Sequence, residues 1–147
     1  VNISSVGGKQ AAPFLGPYAA SKFAIEGFSE SLRRELMLFG IDVIIVGPGA
    51  VRTAIWDKAE EIDVRPYEKS PYYPSLTKFR EFFLASGRQG FPPEHLGRAI
   101  LKALTVKNPK VRYAVVPKRL QNWTIPQLLP KRLTDRIIGK ATGLIGG

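Results

Sequence analysis

Cysteine is absent from this 147-residue chain, which excludes disulfides and thiolate metal sites. Histidine occurs once, at His95, so a histidine-rich metal centre is excluded as well. No apolar run approaches the roughly 20 residues that a bilayer-spanning helix needs. Acidic residues are scarce in one region only. Residues 1–100 carry 12 Lys/Arg against 11 Asp/Glu, whereas residues 101–147 carry 10 Lys/Arg against one acid, Asp135. The formal net charge of +10 therefore belongs almost wholly to the C-terminal third. With 44% hydrophobic and 23% charged residues, the rest of the composition is that of a globular domain.

The order of elements is legible from periodicity and punctuation. Residues 1–4 are β-prone and run into a loop at Gly7 and Gly8. From residue 18 to about 39 the pattern is helical, with Phe28, Leu32, Leu36 and Phe39 at spacings of three and four. Pro17 suits the first turn of this helix and Gly40 its C-cap. A second stripe on the same helix is small: Ala20, Ala24, Gly27 and Ser31. Residues 43–46 are a continuous β-branched run, as in a parallel-sheet strand covered on both faces. Strand, helix and strand make a βαβ unit, and the fold class is α/β. Further on, residues 77–86 read as a helix. Residues 92–104 read as another, with Leu96, Ile100, Leu101 and Leu104 inward. Residues 111–116 are a strand. A helix from about 130 gathers Leu133, Ile137, Ile138, Ala141 and Leu144 on one apolar face.

Tyr18 and Lys22 stand four residues apart. On a helix they share a face, with Cβ atoms about 5–6 Å apart. An ammonium beside a phenol favours the phenolate, and a tyrosine so placed can exchange a proton near neutral pH. By itself the spacing equally describes two exposed helix residues. Position narrows the choice. Ser5, 13 residues before Tyr18, ends the first strand. Strand C-termini and the loops after them build the sites of parallel sheets. The second strand ends on the same edge, in "GPGAVRT" (47–53). There Pro48 and Gly49 form a tight turn against which a ligand can lie, and Thr53 can cap the helix that follows. Taken alone, this segment is also a plain turn and cap.

Together, "NISS" with Ser5, "YAASK" with Tyr18 and Lys22, and "GPGAVRT" closely resemble the short-chain dehydrogenase/reductase (SDR) family. The match in order and spacing runs along about 50 residues, and more weakly to about residue 116. The resemblance implies a Rossmann-type doubly wound parallel sheet. Residues 1–116 would be its C-terminal half, with 54–92 as the variable substrate loop and 117–147 as a basic extension. It implies that Ser5 hydrogen-bonds the substrate oxygen and that Tyr18 gives or takes the proton there. Lys22 would tune the tyrosine and hold the nicotinamide ribose. Pro48, Gly49, Val51 and Thr53 would lie along the nicotinamide. The implied cofactor is NAD or NADP, the reaction interconverts a secondary alcohol and a ketone, and no metal takes part. In this family the 18–39 helix often forms a dimer interface, so a homodimer is expected.

The family's glycine-rich pyrophosphate turn, its NAD-or-NADP selecting residue and its catalytic asparagine do not occur in residues 1–147. The chain thus reads as the half that begins just before the fifth strand. In isolation it is expected to bind nicotinamide cofactor weakly, and a low-micromolar Kd by calorimetry would contradict this. Trp56, Tyr67, Tyr72, Tyr73, Phe79, Phe82 and Phe83 read either as the lining for a lipophilic substrate or as packing of a small lid. The basic tail reads as a helix closing the pocket or meeting a partner subunit; the alternative is peripheral contact with an anionic membrane. Specific nucleic-acid binding is not expected, because no recognition motif accompanies the charge. The reading is of a cytoplasmic enzyme. Its rival is an inactive SDR relative that serves as a membrane-surface or partner-binding module.

Overall fold

The computed structural model describes residues 1–146. Its centre is the run of buried residues 43–47, in which Val46 is completely covered. Part of this run forms strand β2 (Ile45–Pro48), flanked by β1 (Asn2–Ile3) and β3 (Arg112–Val115), both parallel to it. The register sets Asn2 opposite Ile45 and Ile45 opposite Arg112. Helix α1 (Gly16–Glu35) connects β1 to β2. After β2 come α2 (Ile55–Glu60), α3 (Tyr73–Arg88) and α4 (Pro93–Thr105), and after β3 come the short α5 (Ile125–Leu128) and α6 (Lys131–Thr142). This is an α/β architecture with a parallel sheet, as the sequence pattern predicts.

The two faces of the sheet differ in chemistry. Alternation along the strands sends Ile44, Val46, Tyr113 and Val115 to one side. There they pack with Leu96, Ala99, Ile100 and Ala103 of α4. On α4 the buried positions recur at spacings of three and four, and Ala103 is 1% exposed. Leu101 and Leu104, expected inward, lie outside that stripe and are exposed. The other side presents polar strand residues, Asn2 and Arg112, and α1 answers with polar groups. Asn2 Nδ2 donates to Ser29 Oγ (2.8 Å), and the Arg112 guanidinium donates to both oxygens of Glu26 (3.0–3.2 Å). Buried polar atoms need such partners.

That polarity explains why α1 departs from its apolar repeat. Its buried residues are Ala19, Glu26 and Ser29, whereas Phe28 and Phe39 are exposed and Leu32 and Leu36 half-covered. Ala20, Ala24, Gly27 and Ser31 do not form a buried stripe either. The predicted end holds: after a 3-10 turn over Leu36–Phe39, Gly40 adopts the left-handed conformation (φ 65°) and its N–H closes onto Leu36 and Met37. The tail helix forms as predicted, but its apolar face does not turn inward. Ile138 is half-buried, while Leu133, Ile137, Ala141 and Leu144 are exposed; the buried residues are Gly139 and Thr142.

Candidate active site

Ser5 follows β1 closely and caps a 3-10 turn over Val6–Gly8, with its Oγ accepting from the Gly7 N–H (3.1 Å). Gly7 lies against both candidate hydroxyl-bearing side chains. A Cβ built on it would sit 3.0 Å from Tyr18 Cε1 and 3.5 Å from Ser5 Oγ. The turn and the first coil of α1 thus bring Ser5 and Tyr18 to one point, with Ser5 buried and Tyr18 45% exposed. Because Gly7 donates to the serine oxygen, the serine O–H remains free to donate elsewhere.

One turn along α1, Lys22 Nζ sits 5.8 Å from the centre of the Tyr18 ring. It donates to the Ile3 carbonyl (3.4 Å), which tethers the ammonium to the end of β1. The remaining ammonium donors suit ribose hydroxyls, so the donor set fits a nicotinamide nucleoside.

The second motif is arranged differently from its prediction. Gly49 continues the sheet pairing, its N–H donating to Val115 O (2.9 Å), and a Cβ there would meet Val116 at 3.0 Å. A side chain there would press on Val116 beside β3, and the chain turns only after this glycine. Val51 bridges to Phe91. Its carbonyl accepts from Trp56 Nε1 (2.6 Å), and its own N–H meets no acceptor among the described residues. Thr53 does not cap α2: the N-cap position is Ala54, without a side-chain bond. Thr53 instead lines an open groove of about 420 Å³ with Arg52, Trp56 and Arg88.

Of the loop aromatics, Trp56, Phe83 and Phe79 form a chain of ring contacts (5.0 and 5.6 Å) that continues to Phe14 (5.6 Å). Phe14 lies in the segment joining Ser5 to Tyr18, so the ladder ties α2 and α3 to that segment. Tyr67, Tyr72 and Phe82 are exposed and outside the ladder. Between α2 and α3, side-chain and then backbone hydrogen bonds from Arg65 hold the Asp63 carboxyl below its ordinary value.

Two residues at the site were not singled out from the sequence. Glu26, 5% exposed, extends the Tyr18–Lys22 row by one more turn, and that i+4 spacing was a usable signal. Arg112, 86 positions away, reaches across the sheet to Glu26 and donates to the Ser5 carbonyl (3.1 Å). Its guanidinium passes over Gly47, where a Cβ would lie 2.2 Å from it, and stacks 4.1 Å from the Trp123 ring. No local pattern announces a partnership of that span.

Known proteins resemble this chain in sequence and in fold. A family model described as short chain dehydrogenase matches residues 1–63. The chain is 36% identical to an NADPH-dependent 3-dehydrocapnine reductase from Ornithobacterium rhinotracheale, over 95% of this chain and 49% of the relative. It is 38% identical to a 3-ketodihydrosphingosine reductase from Bacteroides thetaiotaomicron, over 80% of this chain and 43% of the relative. The crystal structure of a short-chain dehydrogenase from Streptomyces avermitilis superposes with a TM-score of 0.65 at 27% identity, covering 96% of this chain and 50% of that one. The parallel sheet, the motif order and these relatives define a Rossmann-type fold. The family these comparisons point to is the short-chain dehydrogenases/reductases, which this chain resembles along almost its whole length. The chain spans about half the length of the curated relatives it matches.

Proposed function

We propose that this chain carries the proton-transfer centre of an NAD(P)-dependent oxidoreductase that interconverts a ketone and a secondary alcohol on a lipophilic substrate. The observation that carries the reading is the meeting of Ser5 and Tyr18 at Gly7, with the Lys22 ammonium one turn behind the phenol. When bound, the nicotinamide supplies or accepts the hydride. The chain's own residues handle the oxygen. In reduction, the free Ser5 O–H donates a hydrogen bond to the carbonyl oxygen, and Tyr18 delivers its phenolic proton to the alkoxide developing there. In oxidation the tyrosine takes that proton back. Lys22 stands ready to stabilise the phenolate and to hold the ribose. The exposure of Tyr18 lets a substrate reach it.

The names of two relatives specify reduction of a 3-keto or 3-dehydro group, so a ketone on a sphingoid-type lipid base is the proposed substrate class. The aromatic ladder from Trp56 to Phe14 supports a lipophilic chain beside the site. The test is Tyr18→Phe, made in the protein at its full encoded length and assayed with both nicotinamide cofactors. Turnover should fall by at least about 10²-fold, the scale of general acid catalysis, with the melting temperature unchanged. Near-normal turnover would sink the mechanism.

A further inference from the structure

Helix α6 is amphipathic, yet it docks on the protein by its small and polar side. Its buried residues are Gly139, which the following Ile145 covers, and Thr142. A Cβ on the following Gly143 would lie 3.7 Å from the Ser75 hydroxyl of α3. Away from the buried positions run two rows, each stepping by four residues, one opposite them and the other on their flank. One row is apolar: Leu133, Ile137 and Ala141, with the leucine 43% and the isoleucine 51% exposed. The other is cationic: Arg132, Arg136 and Lys140, all exposed. Each step of four advances only about 40° around the helix, so each row is a continuous ridge, and the ridges lie side by side. Among the described residues none of these three cations has a carboxylate partner.

A helix that serves only the core turns its apolar stripe inward. This one turns it outward and places a row of cations along the border, the arrangement of a helix lying in a lipid interface. We propose that α6 docks this protein on an anionic bilayer surface. Leu133, Ile137 and Ala141 would enter the acyl boundary while Arg132, Arg136 and Lys140 stay at the level of the lipid phosphates. Charge complementarity selects this occupant. Residues 101–147 carry 10 Lys/Arg against one acid, so a second copy of the segment meets repulsion where an anionic surface meets attraction. The proposal is independent of the catalytic reading, and its test involves no turnover.

The test is co-sedimentation of the 147-residue chain with phosphatidylcholine vesicles, with and without phosphatidylserine. The chain should sediment only with the serine-containing vesicles, and less so as salt rises. Joint replacement Arg132→Ala, Arg136→Ala and Lys140→Ala should weaken partitioning on the order of a hundredfold, about fivefold per charge. Ile137→Asp should abolish sedimentation. A Leu133→Trp variant keeps the ridge apolar and reports independently of how the other variants fold: its added emission should shift to the blue on anionic vesicles and be quenched by brominated lipid. Sedimentation unaffected by these substitutions, an added emission that neither shifts nor quenches in the Leu133→Trp variant, or no sedimentation at all would overturn the proposal. So would self-association that Ile137→Asp relieves without any lipid binding, since a second copy would then be what covers the ridge.

Discussion

Single positions show where the packing leaves no tolerance. Gly87 lies under Trp56, whose indole carbon atoms would come within 2.2 Å of an added Cβ. That ring is held by its bond to Val51 O and by the edge of Phe83, so it has little room to move. Gly87→Ala should therefore destabilise by about 1–3 kcal/mol and change tryptophan emission, both measurable in one fluorescence melt. Phe14 makes a different point, as a bulky residue at φ 64°. The left-handed region costs an L-residue about 1–2 kcal/mol, which its ring contact with Phe79 helps to offset. Phe14→Gly should consequently be more stable than Phe14→Ala, the reverse of the order in an ordinary extended or helical segment. Chemical denaturation of the two variants checks the sign.

Between elements, the tie that matters most is ionic. The side chains of Glu26 and Arg112 are 5% and 14% exposed, and their fork joins α1 to β3 across the sheet. Breaking a buried pair strands one charge, whereas replacing both partners with apolar groups of similar size often costs little. Arg112→Met alone leaves Glu26 only the more exposed Lys9 ammonium, 3.6 Å away, and should cost up to about 3–5 kcal/mol. The double change Glu26→Leu with Arg112→Met should recover much of that loss. A double-mutant cycle in urea would show the coupling, and strict additivity of the two single effects would refute it. Because Arg112 also holds the Ser5 carbonyl, the cycle probes an element junction that borders the candidate site.

Over the whole molecule, large apolar residues are exposed in many places, and one group of them lies along and after α1. On and just after α1, Phe28, Met37, Leu38 and Phe39 are 63–83% exposed, on the same helix as the small residues Ala20, Ala24, Gly27 and Ser31. Exposed apolar groups on one helix suit an interaction surface, and close helix contact favours small residues. We expect the protein to self-associate through this helix. Ala24→Glu should lower the mass seen by light scattering to that of one chain. A mass unchanged by that substitution, or a single-chain mass without it, would show that the helix is not such an interface.

The βαβ unit, the three strands, the four longer helices and the Gly40 cap were legible because each follows from local periodicity or one residue's backbone preference. Tyr18 and Lys22 were legible for the same reason, since a spacing of four specifies a shared face on any helix. Ser5 was placed by the rule that strand C-termini line the site. What local pattern did not supply was orientation. Leucines at 101 and 104 satisfy a helical repeat, yet the sheet accepts a face centred on Ala103. The apolar row of α6 satisfies the same repeat and faces outward. Gly49 reads as a tight turn, yet it continues the pairing with β3 and lies close to Val116. The role of Arg112 depends on strand order, on the glycine beneath its guanidinium and on a glutamate 86 residues earlier. Short-range sterics and hydrogen bonding can be read along the chain; which face each element shows to its neighbours is decided only when distant charges and side chains compete for the same buried space.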